Sequence, residues 1–214
     1  MSSHLPRTAL VLIDIQDGLL HPTHWGPSRS NPSFESNTKS ILTTYRSLIS
    51  STSASGSPPH KIVHIAHSST SPDSPLAPSK PGFKFQSFAT PLPSETIITK
   101  KVNSGFIGTD LEKVLRAHFD GEPGTLYLVG LTTDHCVGTT TRMAANLGVC
   151  DAPGGEKGEV VLVEDATAAW QKSKDGFEAE VVHKVNVESL EEFATIEKTA
   201  NVVGLWEGWM GEKA

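Results

Sequence analysis

The sequence predicts an α/β protein: a parallel sheet with helices on both of its faces. Two observations carry this expectation. Short apolar runs rich in branched residues alternate with stretches of helical periodicity along nearly the whole chain, as repeated strand–helix–strand units require. The runs are also continuous rather than alternating, which fits strands buried on both faces. At 214 residues, 37% hydrophobic and 20% charged, the chain suits a single domain spanning 1–214. A domain of that size buries roughly 70% of its surface without disulfide or metal support.

The elements follow in order. Thr8-Ala-Leu-Val-Leu-Ile-Asp14 reads as the first strand, and residues 37–51 as a helix ended by Ser/Gly/Pro punctuation at 50–59, within which the Ser-rich stretch 50–58 reads as a flexible surface loop. Lys61–His67 is the second strand. Residues 68–95 are rich in Ser, Pro and Gly with no strong period, and a loop of that length inside a compact domain is usually functional or disordered. Thr96–Lys100 is the third strand. Thr109 or Asp110 caps a helix through about His118, with Leu111, Val114 and Leu115 at helical spacing. Thr125–Gly130 is the fourth strand, and a helix over 135–148 stops at Gly148. A Gly-rich loop, 152–158, leads to strand Glu159–Glu164. Helices at about 175–184 and 187–193, a short strand near 193–197 and a terminal helix complete the chain.

Charge and composition exclude several classes. The formal net charge is -6, and the longest basic run, Lys100-Lys101, is no footprint for nucleic acid. The first apolar run, Ala9–Ile13, is far too short for a membrane span, and Met-Ser-Ser-His-Leu-Pro-Arg lacks the apolar core of a signal peptide. Together with two cysteines in the whole chain, this points to a cytoplasmic protein with reduced thiols. If 135–148 is helical, Cys136 and Cys150 lie about 20 Å apart, beyond the roughly 7 Å that a disulfide tolerates. A dinucleotide site is excluded, because the first strand is followed by Gln16-Asp-Gly-Leu-Leu and not by a Gly-x-Gly-x-x-Gly turn.

In an open parallel sheet, ligands bind beyond the carboxyl ends of the strands. Strand one ends in Asp14, strand three in Lys100, and strand four runs into Gly130-Leu-Thr-Thr-Asp-His-Cys136. An acid, a base and a thiol thus project toward one side. A helix N-terminus and a nearby ammonium would lower the thiol pKa. Spacing leaves two readings of Cys136 open, an activated nucleophile or a small core residue; Asp14 could equally be a helix cap or a salt-bridge partner. Alternation puts Lys100 and Lys101 on opposite faces without deciding which enters the cleft.

These segments resemble the isochorismatase-like cysteine hydrolases. Ala9-Leu-Val-Leu-Ile-Asp-Ile-Gln16 is similar to the family's first-strand motif. Lys100-Lys-Val-Asn-Ser-Gly-Phe-Ile-Gly-Thr-Asp-Leu111 is similar to its lysine motif, in which the lysine four residues before the serine is Lys100. Val129-Gly-Leu-Thr-Thr-Asp-His-Cys-Val137 is similar to its nucleophile motif, and Val161-Leu-Val-Glu-Asp-Ala-Thr-Ala168 to its fifth strand and following turn. The match runs from about residue 7 to 200. It implies a three-layer α/β/α fold with a six-stranded parallel sheet and Rossmann-like topology, and a catalytic triad of Asp14, Lys100 and Cys136. It also implies a cis peptide at Leu131–Thr132, an oxyanion hole from the N–H groups of Thr132 and Cys136, and a homo-oligomer using the apolar segment Val202-Val-Gly-Leu-Trp206.

No metal and no other cofactor is expected. The region after the second strand, His67-Ser-Ser-Thr-Ser-Pro-Asp73, lacks the Asp-x-His ligand cluster that the resemblance to the family's nicotinamidase branch would imply, and His64 and His67 fall on opposite faces of the strand. Trp25, Phe83, Phe85 and Phe106 are candidates for an apolar substrate wall, His67, Lys84 and Arg29 for a polar contact, and the loops 21–36 and 68–95 for lids; the role of the loop at 149–158 stays open. The expected partner is a small amide, carbamoyl or ureide compound, hydrolysed at a C–N bond. Two alternatives stand beside it: a vinyl-ether hydrolase of the isochorismatase type, and a non-catalytic scaffold or redox-reactive protein of the same fold.

Overall fold

A computed structural model describes residues 5–52 and 59–211; the first four residues and most of the Ser-rich loop lie outside it. Six strands form one parallel sheet in the order β3-β2-β1-β4-β5-β6. They are β1 (Thr8–Ile13), β2 (His60–His67), β3 (Thr96–Lys100), β4 (Thr125–Leu131), β5 (Glu159–Ala168) and β6 (Thr195–Glu197). The chain builds outward from β1 to β3, then returns to β1's other side for β4 to β6. The order therefore reverses between β1 and β4, and the crevice at their carboxyl ends is the place for a ligand.

The burial of β1 explains its composition. All six of its residues are buried, and successive side chains feed opposite layers. Leu10 and Leu12 enter the layer of α1 (Phe34–Thr52) and α5 (Thr199–Gly211). Ala9, Val11 and Ile13 enter the layer of α2 (Leu111–Phe119) and α3 (Gly138–Leu147). Trp206 on α5 is fully buried, edge-on to Tyr45 and Tyr127 at centroid distances of 4.7 and 5.0 Å. For two residues of the segment expected to form an oligomer surface this is a correction, while Leu205 stays 47% exposed. Val202 and Trp206 belong to the chain's own core, because α5 lays its apolar face on α1.

Three further segments differ from expectation. The helix expected from 135 begins as a π turn, Thr133–Val137, with α-helical geometry only from Gly138. β5 runs on to Ala168 through a register shift against β4 between Leu128 and Gly130. One helix, α4 (Ala179–Glu188), replaces the two expected at 175–193. It stops at Ser189, whose hydroxyl bonds back to the Asn186 carbonyl at 2.8 Å, and turns carry the chain on through the buried Leu190. No helix among the described residues is long and apolar enough to cross a membrane.

Two glycine positions matter to the crevice. A Cβ on Gly130, which has φ 125°, would fall 2.1 Å from the Ile13 carbonyl oxygen, so β4 can pass β1 here only without a side chain. A Cβ on Gly82 would fall 2.6 Å from the Gly18 Cα. That bare contact docks the 68–95 loop on the loop after β1.

Candidate active site

Asp14, Lys100 and Cys136 meet at the reversal point. Asp14 follows β1 directly with φ 53°, a left-handed conformation costly for a non-glycine residue. Its N–H bonds the Ile65 carbonyl at 2.9 Å, which fixes it against β2. Lys100 ends β3 and is 1% exposed, whereas Lys101 faces solvent; the geometry thus selects one of the two lysines that alternation left open. Lys100 Nζ lies 2.7 Å from Asp14 Oδ2, 3.1 Å from His67 Nδ1, 3.2 Å from the Val102 carbonyl oxygen and 3.2 Å from Cys136 Sγ. An ammonium has three hydrogens, so four acceptors compete for them.

Cys136 sits in the π turn. The Thr132 carbonyl accepts the N–H groups of both His135 and Val137 at 3.0 Å, and the Leu131–Thr132 peptide is cis. Behind the turn, Thr133 Oγ1 lies 3.2 Å from Thr167 Oγ1 and 2.9 Å from His183 Nδ1, all three residues buried. This contact ties the turn that carries Cys136 to β5 and α4.

The electrostatics correct one expectation. The thiol is not held low. Burial and then the Asp14 charge push the Cys136 pKa up, outweighing Lys100. Burial also raises Asp14, against the pull of Lys100 and of the thiol acting as a donor. Asp14 Oδ1 is buried without a hydrogen-bond partner of ordinary geometry among the described residues. A carboxylate short of partners, its pKa raised above the ordinary value by burial, is suited to take a proton. His67 is pushed down by burial and by Lys100, which keeps its ring neutral.

The Asp14 carboxylate, a His67 ring nitrogen and the Cys136 sulfur all lie within 4.8 Å of one another, a set of metal-ligand type. The Lys100 contacts place an ammonium among those atoms. His64 takes no part, because its Nε2 bonds Glu95 at 2.8 Å.

The trio opens into a cleft of about 560 Å³. Trp25 and His67 line it, as the sequence suggested, whereas Phe85 and Phe106 do not. Phe106 is 7% exposed and packs in the core layer of α2 and α3. Phe85 is edge-on to His64 and bridges antiparallel to Gln16, which turns its ring away from the crevice. Phe83 and Lys84 also fall outside the lining, and Arg29 is committed to Glu35 at 2.6 and 2.7 Å. Both lid candidates contribute: the first loop gives His24 and Trp25, the second Ser69, Ser71, Asp73 and Leu76.

Sequence reasoning missed Trp170, which lines the cleft 6.4 Å from Trp25, ring centroid to ring centroid. It stands just beyond the carboxyl end of β5, so the strand-end rule applied to that strand would have found it. It also missed the clamp made by Gln16. This buried side chain accepts the His67 N–H at 2.8 Å and donates to the Phe83 carbonyl at 2.7 Å, tying the ends of β1 and β2 to the 68–95 loop. Asn103, His135 and Lys172 complete the polar rim, with Lys172 paired to Asp134 at 2.9 Å.

Fold and site together define a doubly wound α/β protein with a crevice at the reversal of its strand order. The Isochorismatase domain profile matches residues 8–192. The isochorismatase family protein YrdC of Bacillus subtilis is 34% identical over 201 residues, covering 92% of this chain and 95% of its own. A crystal structure from Chromobacterium violaceum, assigned to the isochorismatase hydrolase family, is 31% identical with a TM-score of 0.78, covering 97% of this chain and 100% of its own. N-carbamoylsarcosine amidase from Thermoplasma acidophilum shares the fold at 21% identity and a TM-score of 0.61, covering 90% of this chain and 96% of its own. The chain belongs to the isochorismatase-like hydrolase family.

Proposed function

We propose that the protein is a cysteine-dependent hydrolase of a small amide, carbamoyl or ureide C–N bond. The observation that carries this reading is the Lys100 ammonium lying 2.7 Å from a buried carboxylate and 3.2 Å from a thiol at the edge of a cleft. Asp14 takes the thiol proton as sulfur attacks the carbonyl carbon, and Lys100 balances the charge that passes between them. Backbone N–H groups of Thr132 and Cys136 are assigned the developing oxyanion, each such donor typically being worth about 3 kcal/mol. Asp14 then passes its proton to the leaving amine. Water, activated by the same carboxylate, hydrolyses the thioester.

The fold also hosts an amide-cleaving enzyme in the N-carbamoylsarcosine amidase, a precedent at fold level alone. Trp25, Trp170, Leu19, Leu76 and Leu131 give the cleft a mainly apolar wall. The Trp25 indole N–H is already bonded to the Gly18 carbonyl at 2.8 Å, so the ring offers surface rather than a donor. An uncharged, flat or branched body beside the reacting amide fits this wall.

Ammonia release from a panel of primary amides, carbamoyl compounds and ureides tests the reading. Turnover that disappears in Cys136→Ser supports it. Turnover surviving that change, or cleavage of a vinyl ether with no activity on any amide, overturns it. We also propose a homo-oligomer, now supported by Phe177, Val181 and Val185, which recur every fourth residue with exposures of 78, 43 and 60%. A light-scattering mass of one subunit would end that proposal.

A further inference from the structure

We propose that Asp14, His67 and Cys136 form a binding site for one thiophilic divalent cation, such as Zn²⁺ or Cd²⁺, which Lys100 keeps closed by holding its ammonium among the three donors. The donors are a carboxylate, an imidazole nitrogen and a sulfur, all within 4.8 Å of one another. These are the three ligand types that zinc takes, and three protein ligands with a fourth position open to solvent is the usual form of a reactive zinc site. A tetrahedral ion with bonds of about 2.0–2.3 Å needs its donors roughly 3.5 Å apart, so a pair at the 4.8 Å limit would close by about an ångström.

The same three residues already serve a cation. Lys100 Nζ contacts Asp14 Oδ2, His67 Nδ1 and Cys136 Sγ at 2.7, 3.1 and 3.2 Å. It serves them incompletely, because its three hydrogens are shared with the Val102 carbonyl and Asp14 Oδ1 is buried with no hydrogen bond of ordinary geometry among the described residues. Metal and ammonium therefore compete for one set of lone pairs. On binding, the thiol gives its proton to solvent and sulfur bonds the metal. Asp14 binds as carboxylate and His67 as neutral imidazole, while the ammonium withdraws. With its sulfur in a metal bond, Cys136 cannot attack a carbonyl, so the ion inhibits reversibly. Cation binding needs no substrate, so its test stands or fails apart from the hydrolase reading.

The full-length protein is titrated with Cd²⁺ while the ultraviolet thiolate-to-cadmium charge-transfer band is followed, and Zn²⁺ is used as competitor. The expected result is one Cd²⁺ per chain. The band is absent in Cys136→Ser, present in Cys150→Ser, and weakened at least about tenfold in affinity in His67→Asn. Lys100→Met is expected to bind at least about tenfold more tightly, because a positive charge leaves the site. A band that persists in Cys136→Ser, no band at millimolar Cd²⁺, or Lys100→Met binding no tighter than the parent overturns the proposal. If Lys100→Met does not fold, Zn²⁺ protection of Cys136 from iodoacetamide in the parent, weakened in His67→Asn, decides it. Equal protection in both would contradict the site.

Discussion

Two buried carboxylates, each beside a cation and a histidine of β2, behave in opposite ways. Glu95 accepts Arg46 Nε and Nη2 at 2.7 and 2.8 Å, His64 Nε2 at 2.8 Å and the Leu92 N–H at 2.8 Å. Burial alone would raise it, but those bonds hold its pKa down to about 2. Asp14 has Lys100 on one oxygen and leaves the other without an ordinary partner, and burial prevails. The first carboxylate is committed to the fold. The second is left with unused basicity, at the end of β1, beside a thiol and a cleft. Deeper burial together with fewer hydrogen bonds, rather than the lack of a nearby cation, separates the candidate base from the structural ion pair.

The contrast can be broken at several points. Cys136→Ser is expected to lower kcat/KM for amide hydrolysis by at least about 10⁴-fold; steady-state ammonia assays read it directly. Asp14→Asn should cost about 10²–10⁴-fold in kcat, the range for loss of a general base. Trp25→Ala should raise KM about tenfold for amides with an aryl or branched body, the discrimination an apolar pocket provides. Acetamide should change by less than about twofold, and equal losses on both substrates would remove Trp25 from the specificity wall.

Glu95→Gln is expected to leave turnover within about twofold and to act on stability instead. A carboxylate whose folded pKa lies near 2, below its ordinary 4.5, stabilises the fold above pH 4.5. That contribution fades as the pH falls through 2. Denaturant melts of the parent should therefore lose stability across that window, and those of the variant should lose less. Parallel slopes would show that Glu95 does not carry the acid sensitivity.

Much of the frame was legible in the sequence. β1 falls at its expected position because a strand buried on both faces needs a continuous apolar run and a polar stop, whereas β3, an edge strand with Ile97 exposed, is marked by its run of branched residues. Asp14 was legible from the same logic, as the polar stop of β1; the strand-end rule left Lys100 and Lys101 undecided and Cys136 open between two readings, and only the resemblance singled out Lys100 and the cysteine. What escaped was set by packing between distant segments. Phe106 looks like a wall residue beside the lysine motif, but it turns into the core under α2. Trp170 reaches the cleft only because β5 runs to Ala168. The π turn at 133–137 shows no break in helical pattern, so Cys136 was expected within a regular helix. The raised thiol depends on a burial and a neighbouring charge that no local spacing encodes.

The central claim is that Asp14 holds the thiol proton in play, while the Asp14 charge itself opposes a resting thiolate. It is tested most directly by iodoacetamide alkylation of Cys136 against pH, read by peptide mass, in the parent and in Asp14→Asn, with amide hydrolysis measured on the same samples. Removing the carboxylate charge, which with burial raises the thiol, should shift the alkylation profile to lower pH while hydrolysis collapses. A shift to higher pH, or hydrolysis that survives the substitution, would contradict the account.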